Sequence, residues 1–500
     1  MTCRPAMTRL LAVALGAAAA AADAQVQRSE LSVHSSVTAT DNGAGSAAGA
    51  ARADVLLSVR PRLEFVREGA GLQLTGSLEA DLVASLRDTR EDRVLPAASV
   101  DARADLVDRL LFLDAAMNVR QVEVDPFGAR TDAGSARNAR TAGSYRISPF
   151  LQFETGERSS LQARLDARTT RVAGTDDGDV TTHRALAKFD VRPAPIGASL
   201  DWLSEDTDFA SASEADLRID RLLASLNYAI TPDWVAGVTA GSERSRIAGS
   251  VRTDRVTGLK TYWVPGPRTD FAAAIDRRFF GTGWNVGLKH RTPRMSLRLR
   301  IDREPVVAGV AGSDGLATFL DAILTTRNPQ AVARSGLVSE LVSSRGLQGN
   351  MATASVAGAD YAQLRSATDL TWVYLGTRTS VSLSVYGQTL QRLDRDDGSA
   401  GATGVADADN RQRGASFGWN HKLTPVTSVD TQFVWSRIEG LELRAGERTR
   451  EATLRVSLAR ALAERTTASA GLLIRRVVSD AINVSSFDET AVFVGLGHRF

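Results

Sequence analysis

Gly414-Ala415-Ser416-Phe417-Gly418 has the spacing of a hydrolase nucleophile. In such enzymes G-x-S-x-G holds the serine on a sharp strand-to-helix turn, so that its hydroxyl projects. Here it lies inside RGASFGWNHKL, a run in which small and bulky residues alternate, and small residues on a strand account for it. The nearest base, His421, is an odd five residues from Ser416, which places the two on opposite faces of a strand. The five histidines (His34, His183, His290, His421, His498) are scattered, with no pair at metal-ligand spacing. The single cysteine, Cys3, precedes a cleavage signal, so the mature chain has no thiol. There is no Gly-rich phosphate loop, and a net charge of +2 gives no bias toward nucleic acid. No catalytic, cofactor or metal site is expected.

A different chemistry is written in the charged residues, which recur at every second position. In GLQLTGSLEADLVASLRD (71–88), Leu72, Leu74, Leu78, Leu82 and Leu86 alternate with a polar set containing Glu79 and Asp81. SLQARLDART repeats the pattern with Arg164, Asp166 and Arg168, and RMSLRLRID with Arg298 and Arg300. Lys289 falls in the same phase on the preceding segment. A period of two makes each a two-faced strand, yet ordinary strands run about five or six residues and these run far longer. Such strands suit a wall with lipid on one side and water on the other. In lipid every backbone polar group must be paired, so a sheet can span only as a closed barrel. Glu79, Asp81, Arg164, Asp166, Arg168, Lys289, Arg298 and Arg300 are therefore expected to face a wet lumen.

The connections agree. Tight Pro- or Gly-containing turns such as TGER (155–158), TPDW (231–234), PGPR (265–268) and TPVT (424–427) alternate with longer polar loops at 41–52, 88–98, 124–138, 173–180, 204–214, 241–254, 302–357, 391–410, 439–447 and 478–488. Near Gly281 a short connection stands where a long one is expected. Short turns on one side and long loops on the other describe an outer-membrane barrel. The expected fold is all-β: a transmembrane antiparallel up-and-down barrel of about 22 strands, within a range of 18–22. The seven tryptophans mostly fall near turns, as an interfacial girdle requires.

Both ends of the chain fit this destination. Residues 1–24 read as a signal peptide: Arg4 and Arg9, an apolar core from Leu10 to Ala22, then Ala22-Asp23-Ala24. The barrel is then expected over 25–500. The terminus AVFVGLGHRF, with Gly495, His498 and Phe500, resembles the terminal signal read by the outer-membrane assembly machinery. Expected partners are thus outer-membrane lipid and that machinery, and the expected location is the bacterial outer membrane.

One segment breaks the pattern. In 313–349, Leu316, Phe319, Leu320, Ile323 and Leu324 follow helical spacing, Asn328-Pro329 reads as a helix start, and Leu337 and Leu341 belong to a second stripe ended by Gly346. A helical hairpin is expected, either folded into the lumen or capping the barrel outside. Phe319, Leu320, Leu324, Leu337 and Leu341 are its candidate gate residues.

Several stretches together resemble the outer-membrane proteins associated with the PEP-CTERM/exosortase system: NARTAGSYRISPFLQFETGERSSLQARLDART (138–169), the turns ITPDW and GPRTD, NPQAVARSGLVSELVSSRGL (328–347) and YAQLRSATDLTWVYLGTRTSVSLSVYGQ (361–388). The resemblance implies a barrel serving exopolysaccharide export or surface assembly, and it supplies no functional residues. Receptors of the TonB-dependent type would need a large globular plug ahead of the barrel. Alternation begins here already at Leu31, Val33 and Val37, which sets that reading aside. The leading expectation is a pore or conduit. A non-conducting scaffold or adhesion protein is the alternative, and an outer-membrane hydrolase stands third.

Overall fold

The computed structural model describes residues 24–500 apart from 70, 124, 130–137, 175–178, 211–215, 248, 308–318, 321–322, 325–360, 394–408 and 483. Twenty-two antiparallel strands, from β1 (Ala24–Thr40) to β22 (Phe487–Arg499), form one sheet in which each pairs with its neighbours in sequence. Residues Ser32 to Thr40 of β1 pair with Arg499 to Ala491 of β22, and this seam closes the sheet into a barrel. Strands are 10 to 17 residues long, enough at ~3.3 Å per residue to cross a bilayer obliquely. β1 starts and β22 ends on the side of the short turns, which is the periplasmic side of such barrels.

The two faces separate as the alternation requires. On β3 (Leu72–Ser85) Leu82 is exposed while Asp81 beside it is buried. A single-layered wall has nothing covering its outside, so side chains without solvent contact lie within. Those include Glu243, Asp302 and Arg475. The outer face carries exposed Leu, Val, Ile, Phe and Trp, among them Trp202, Trp234 and Trp263. Among the described residues there is no central apolar core; small apolar clusters sit at the ends of the lumen instead.

The sequence reading overestimated several loops. The expected loop at 241–254 is absent: β11 (Trp234–Ile247) and β12 (Ser250–Gly266) run almost into one another across a turn at Gly249, whose φ of +81° suits glycine. Likewise β4 (Arg93–Val107) starts inside the expected loop 88–98, and β9 (Ile196–Phe209) continues into 204–214. Above the bilayer both faces of a strand meet water, so the hydropathy alternation stops before the strand does. The short connection near Gly281 is present, between β13 (Thr269–Arg278) and β14 (Gly281–Thr292).

Candidate functional site

The lumen wall is lined by ion pairs spaced by strand register. Arg60 on β2 (Asp54–Gly69) donates to Asp81, which also accepts from Ser58 Oγ. Glu79 lies 3.4 Å from both Arg60 and Arg62, and Arg62 reaches Glu64 at 2.7 Å. Farther round, on β7 (Ser159–Val172), Arg164 pairs with Asp114 of β5 (Leu111–Glu123), and Asp166 accepts from the buried Ser148 Oγ of β6 (Ala139–Glu154). Arg164 also lies 4.5 Å over the Phe150 ring, which stacks on Phe112. Arg168 stands directly opposite Arg146.

A third arc is formed by β14, β15 (Met295–Val307) and β16 (Ala362–Leu375). Lys289 faces Arg298 in register. Four residues on, Asp302 has no solvent contact and takes Arg300 Nε at 2.7 Å and Arg365 Nη2 at 2.7 Å. Glu304 holds the same two arginines at 3.2 and 3.4 Å. The eight charged residues singled out in sequence thus occupy three separate arcs of the wall rather than one cluster, each engaged mostly by residues that sequence patterning left unpaired with them. Among the described residues no group of three or more His, Cys, Asp or Glu could hold a metal ion.

The long connection between β15 and β16 bears directly on the lumen. Of the segment 313–349, only Phe319, Leu320, Ile323 and Leu324 are described, and these four have helical backbone. The hairpin itself is not shown, and Leu337 and Leu341 lie outside the described residues. Phe319, Leu320 and Ile323 are fully buried against Val373, with Leu324 and Leu375 around them. Arg298 lies 4.8 Å over the Phe319 ring. Val373 and Leu375 are in the last three residues of β16, beside the periplasmic turn. Residues from a cell-surface connection therefore pack on the inner wall near the opposite end of the barrel. Each such apolar side chain, fully buried, stabilises its contact by ~1.5–3 kcal/mol.

A second contact crosses the mouth. Phe127, from the connection between β5 and β6, is fully buried beside Ile438 of β19 (Thr427–Gly440) and Ala481 of the last loop, across the β1–β22 seam. The Arg444 guanidinium lies 4.0 Å over its ring, 3.4 Å from Asp125 and against Glu447. Burial pushes the Asp125 carboxyl above its ordinary range, opposed by the Phe127 N–H and by Arg444. Sequence reasoning missed this latch; its only local signal was an aromatic residue in a polar loop, Asp125-Pro126-Phe127-Gly128.

The terminal residues sit at the seam. The Phe500 N–H donates to the Leu31 carbonyl at 2.9 Å, and its ring meets His498 edge-on at 4.8 Å. A Cβ on Gly495 would lie 3.0 Å from the His34 ring and from Ser469 Oγ. His498 shares a pattern with His290 and His421: Nδ1 lies 2.8–2.9 Å from a threonine hydroxyl that begins a neighbouring strand, namely Thr466, Thr269 and Thr379. Three of the scattered histidines therefore belong to one outward girdle at the periplasmic interface. Ser416 is buried on the inner face of β18 (Asn410–Thr424), while His421 stacks on Trp419 on the other. No elbow is built there.

The closed 22-stranded wall with an apolar outer face decides the class. This chain is an integral outer-membrane β-barrel. No protein-family model matches it, and no curated protein matches it significantly. Solved structures do match. The FrpB iron transporter from Neisseria meningitidis is 7% identical, with 94% of this chain and 82% of that one covered at a TM-score of 0.46. The siderophore receptor PiuA from Acinetobacter baumannii is 8% identical, with 94% and 82% covered at 0.45. The anion-selective porin from Comamonas acidovorans is 10% identical, with 95% and 99% covered at 0.34. These likenesses concern barrel architecture alone.

Proposed function

We propose that the barrel is a gated conduit for polar solutes, narrowed near its periplasmic end by the Phe319–Leu324 segment. The observation that supports this is the packing of Phe319, Leu320 and Ile323 on Val373, inside the wall and next to the periplasmic turn. A lumen lined with mixed charge suits polar cargo, because paired arginines and carboxylates keep the wall hydrated without a strong preference for either sign. The sequence resemblance to barrels of the exosortase system supports a cargo of exopolysaccharide.

The test is unitary conductance of the refolded protein in planar bilayers. The intact barrel is expected to give a steady small conductance, and the F319A/L320A/I323A variant a larger one. Silence from both, with heat-modifiable gel mobility confirming folded barrels, would replace the conduit by a non-conducting scaffold. The cargo is tested separately, by measuring surface polysaccharide in the source bacterium with and without the gene. Unchanged polysaccharide beside a conducting barrel would remove the cargo and keep the conduit.

A further inference from the structure

The outer face of β18, β19 and β20 (Arg448–Ala463) carries a feature that the conduit does not use. Strand register sets Arg413, Arg437 and Arg450 directly opposite one another on three adjacent strands. Like charges in direct cross-strand opposition repel. The row above is Arg411, Glu439 and Arg448, so one carboxylate stands among five arginines. Glu439 is taken by Arg437 and, at 3.4 Å, by Arg448. Arg413 and Arg450 are exposed and make no ion pair among the described residues. By contrast, on β10 (Leu217–Thr231) the outward Arg218 has Asp220 at 3.1 Å and Asp206 at 4.0 Å.

The height of the row is fixed by its neighbours. One step toward the membrane, Trp435 faces Ala415 and Ala452, and below it Phe433 faces Phe417 and Leu454. Tryptophan marks the interface level in such walls. On β20 the outward residues between Arg450 and Arg460 are Ala452, Leu454, Val456 and Leu458. Ten residues span about 33 Å of strand, or about 25 Å of membrane at a tilt of ~40°, which is the height of the lipid-facing band of an outer-membrane barrel. The row therefore sits at the headgroups of the outer leaflet, on the side of the long loops.

We propose that Arg413, Arg437 and Arg450 bind a phosphate group of an outer-leaflet glycolipid, with Trp435 between the two alanines as the shelf for the adjoining sugar or acyl chain. Arginine suits this because its planar donors match phosphate oxygens in pairs, and a bound dianion converts the repulsion along the row into attraction. The depth of the row, beside an aromatic residue at the edge of the apolar band, favours a lipid phosphate over a free one.

The test uses the full barrel and an R413Q/R450Q variant, which keeps the Arg437–Glu439 pair, with an R218Q/R244Q variant as rim control. Heat-modifiable mobility first confirms folding of each. Native mass spectrometry then measures retention of a diphosphorylated lipid A-type glycolipid and of its dephosphorylated form. The wild type and the rim control are expected to retain the phosphorylated lipid, and R413Q/R450Q to lose about tenfold or more in affinity. The dephosphorylated lipid should bind the wild type no better than the phosphorylated one binds R413Q/R450Q. Equal retention by all three proteins, or equal retention of both lipids, would overturn the site. Displacement of the lipid by an equimolar amount of inorganic phosphate would overturn the lipid assignment.

Discussion

Asp302 has no solvent contact, and two arginines converge on it at 2.7 Å. Removing Asp302 takes the buried acceptor away from both arginines and leaves them Glu304 at 3.2 and 3.4 Å, at a cost of about 1–3 kcal/mol. Asp302→Ala should therefore lower the urea midpoint of the folded barrel clearly. Glu79→Ala, on a pair with half-open arginines at 3.4 Å, should cost about 1 kcal/mol or less. Comparable losses from the two would mean that burial does not rank these pairs. Asp125 gives a prediction with pH. Its folded carboxyl titrates above the ordinary value of about 4, so protonation favours the docked loop. The stabilisation is complete below that ordinary value and is lost as pH rises through the raised one. Asp125→Asn retains an acceptor for the Phe127 N–H and removes the buried charge. It should flatten the decline in protease resistance of this loop as pH rises above about 4; an unchanged decline would assign the dependence to another group.

At the scale of elements, the seam between β1 and β22 closes the barrel, and it pairs only Ser32–Thr40 with the terminal strand. Gly495 lies within it, and a side chain there meets the His34 ring and Ser469 Oγ. Gly495→Val should lower the fraction of heat-modifiable, folded protein after refolding, while Val494→Ile on the lipid face should not. Equal yields would show that the seam tolerates bulk inside. The strands themselves were legible wherever they cross lipid, because there the solvent differs on the two faces: Leu82 beside Asp81 is enough to set the phase. They became illegible above the membrane, as along β11 and β12, where Arg244, Arg246 and Arg255 occupy outward positions that apolar residues hold lower down. Helical spacing marked Phe319, Leu320 and Ile323, but not their seat on Val373, which lies across a connection of more than fifty residues. The Phe127–Arg444 latch was beyond reach for the same reason: its halves lie 317 positions apart, and neither has a periodicity that points to the other.

For the whole molecule, the two apolar contacts occupy opposite ends of one lumen, with Phe127 latched across the mouth by Arg444 and Phe319 seated beside the periplasmic turn. Constrictions along one path add as resistances in series, so opening one leaves the other limiting. Arg444→Ala removes the cation over the Phe127 ring and the partner of Asp125, and should free the mouth without touching the lower seat. F319A/L320A/I323A frees the lower seat without touching the mouth. In planar bilayers the combined variant should therefore gain more conductance than the two gains added together, since sites this far apart are otherwise expected to act independently. A combined gain equal to the larger single gain would show that only that end narrows the path. Gains that simply add would place the two contacts on parallel routes, with the inserted segment dividing the lumen rather than closing it.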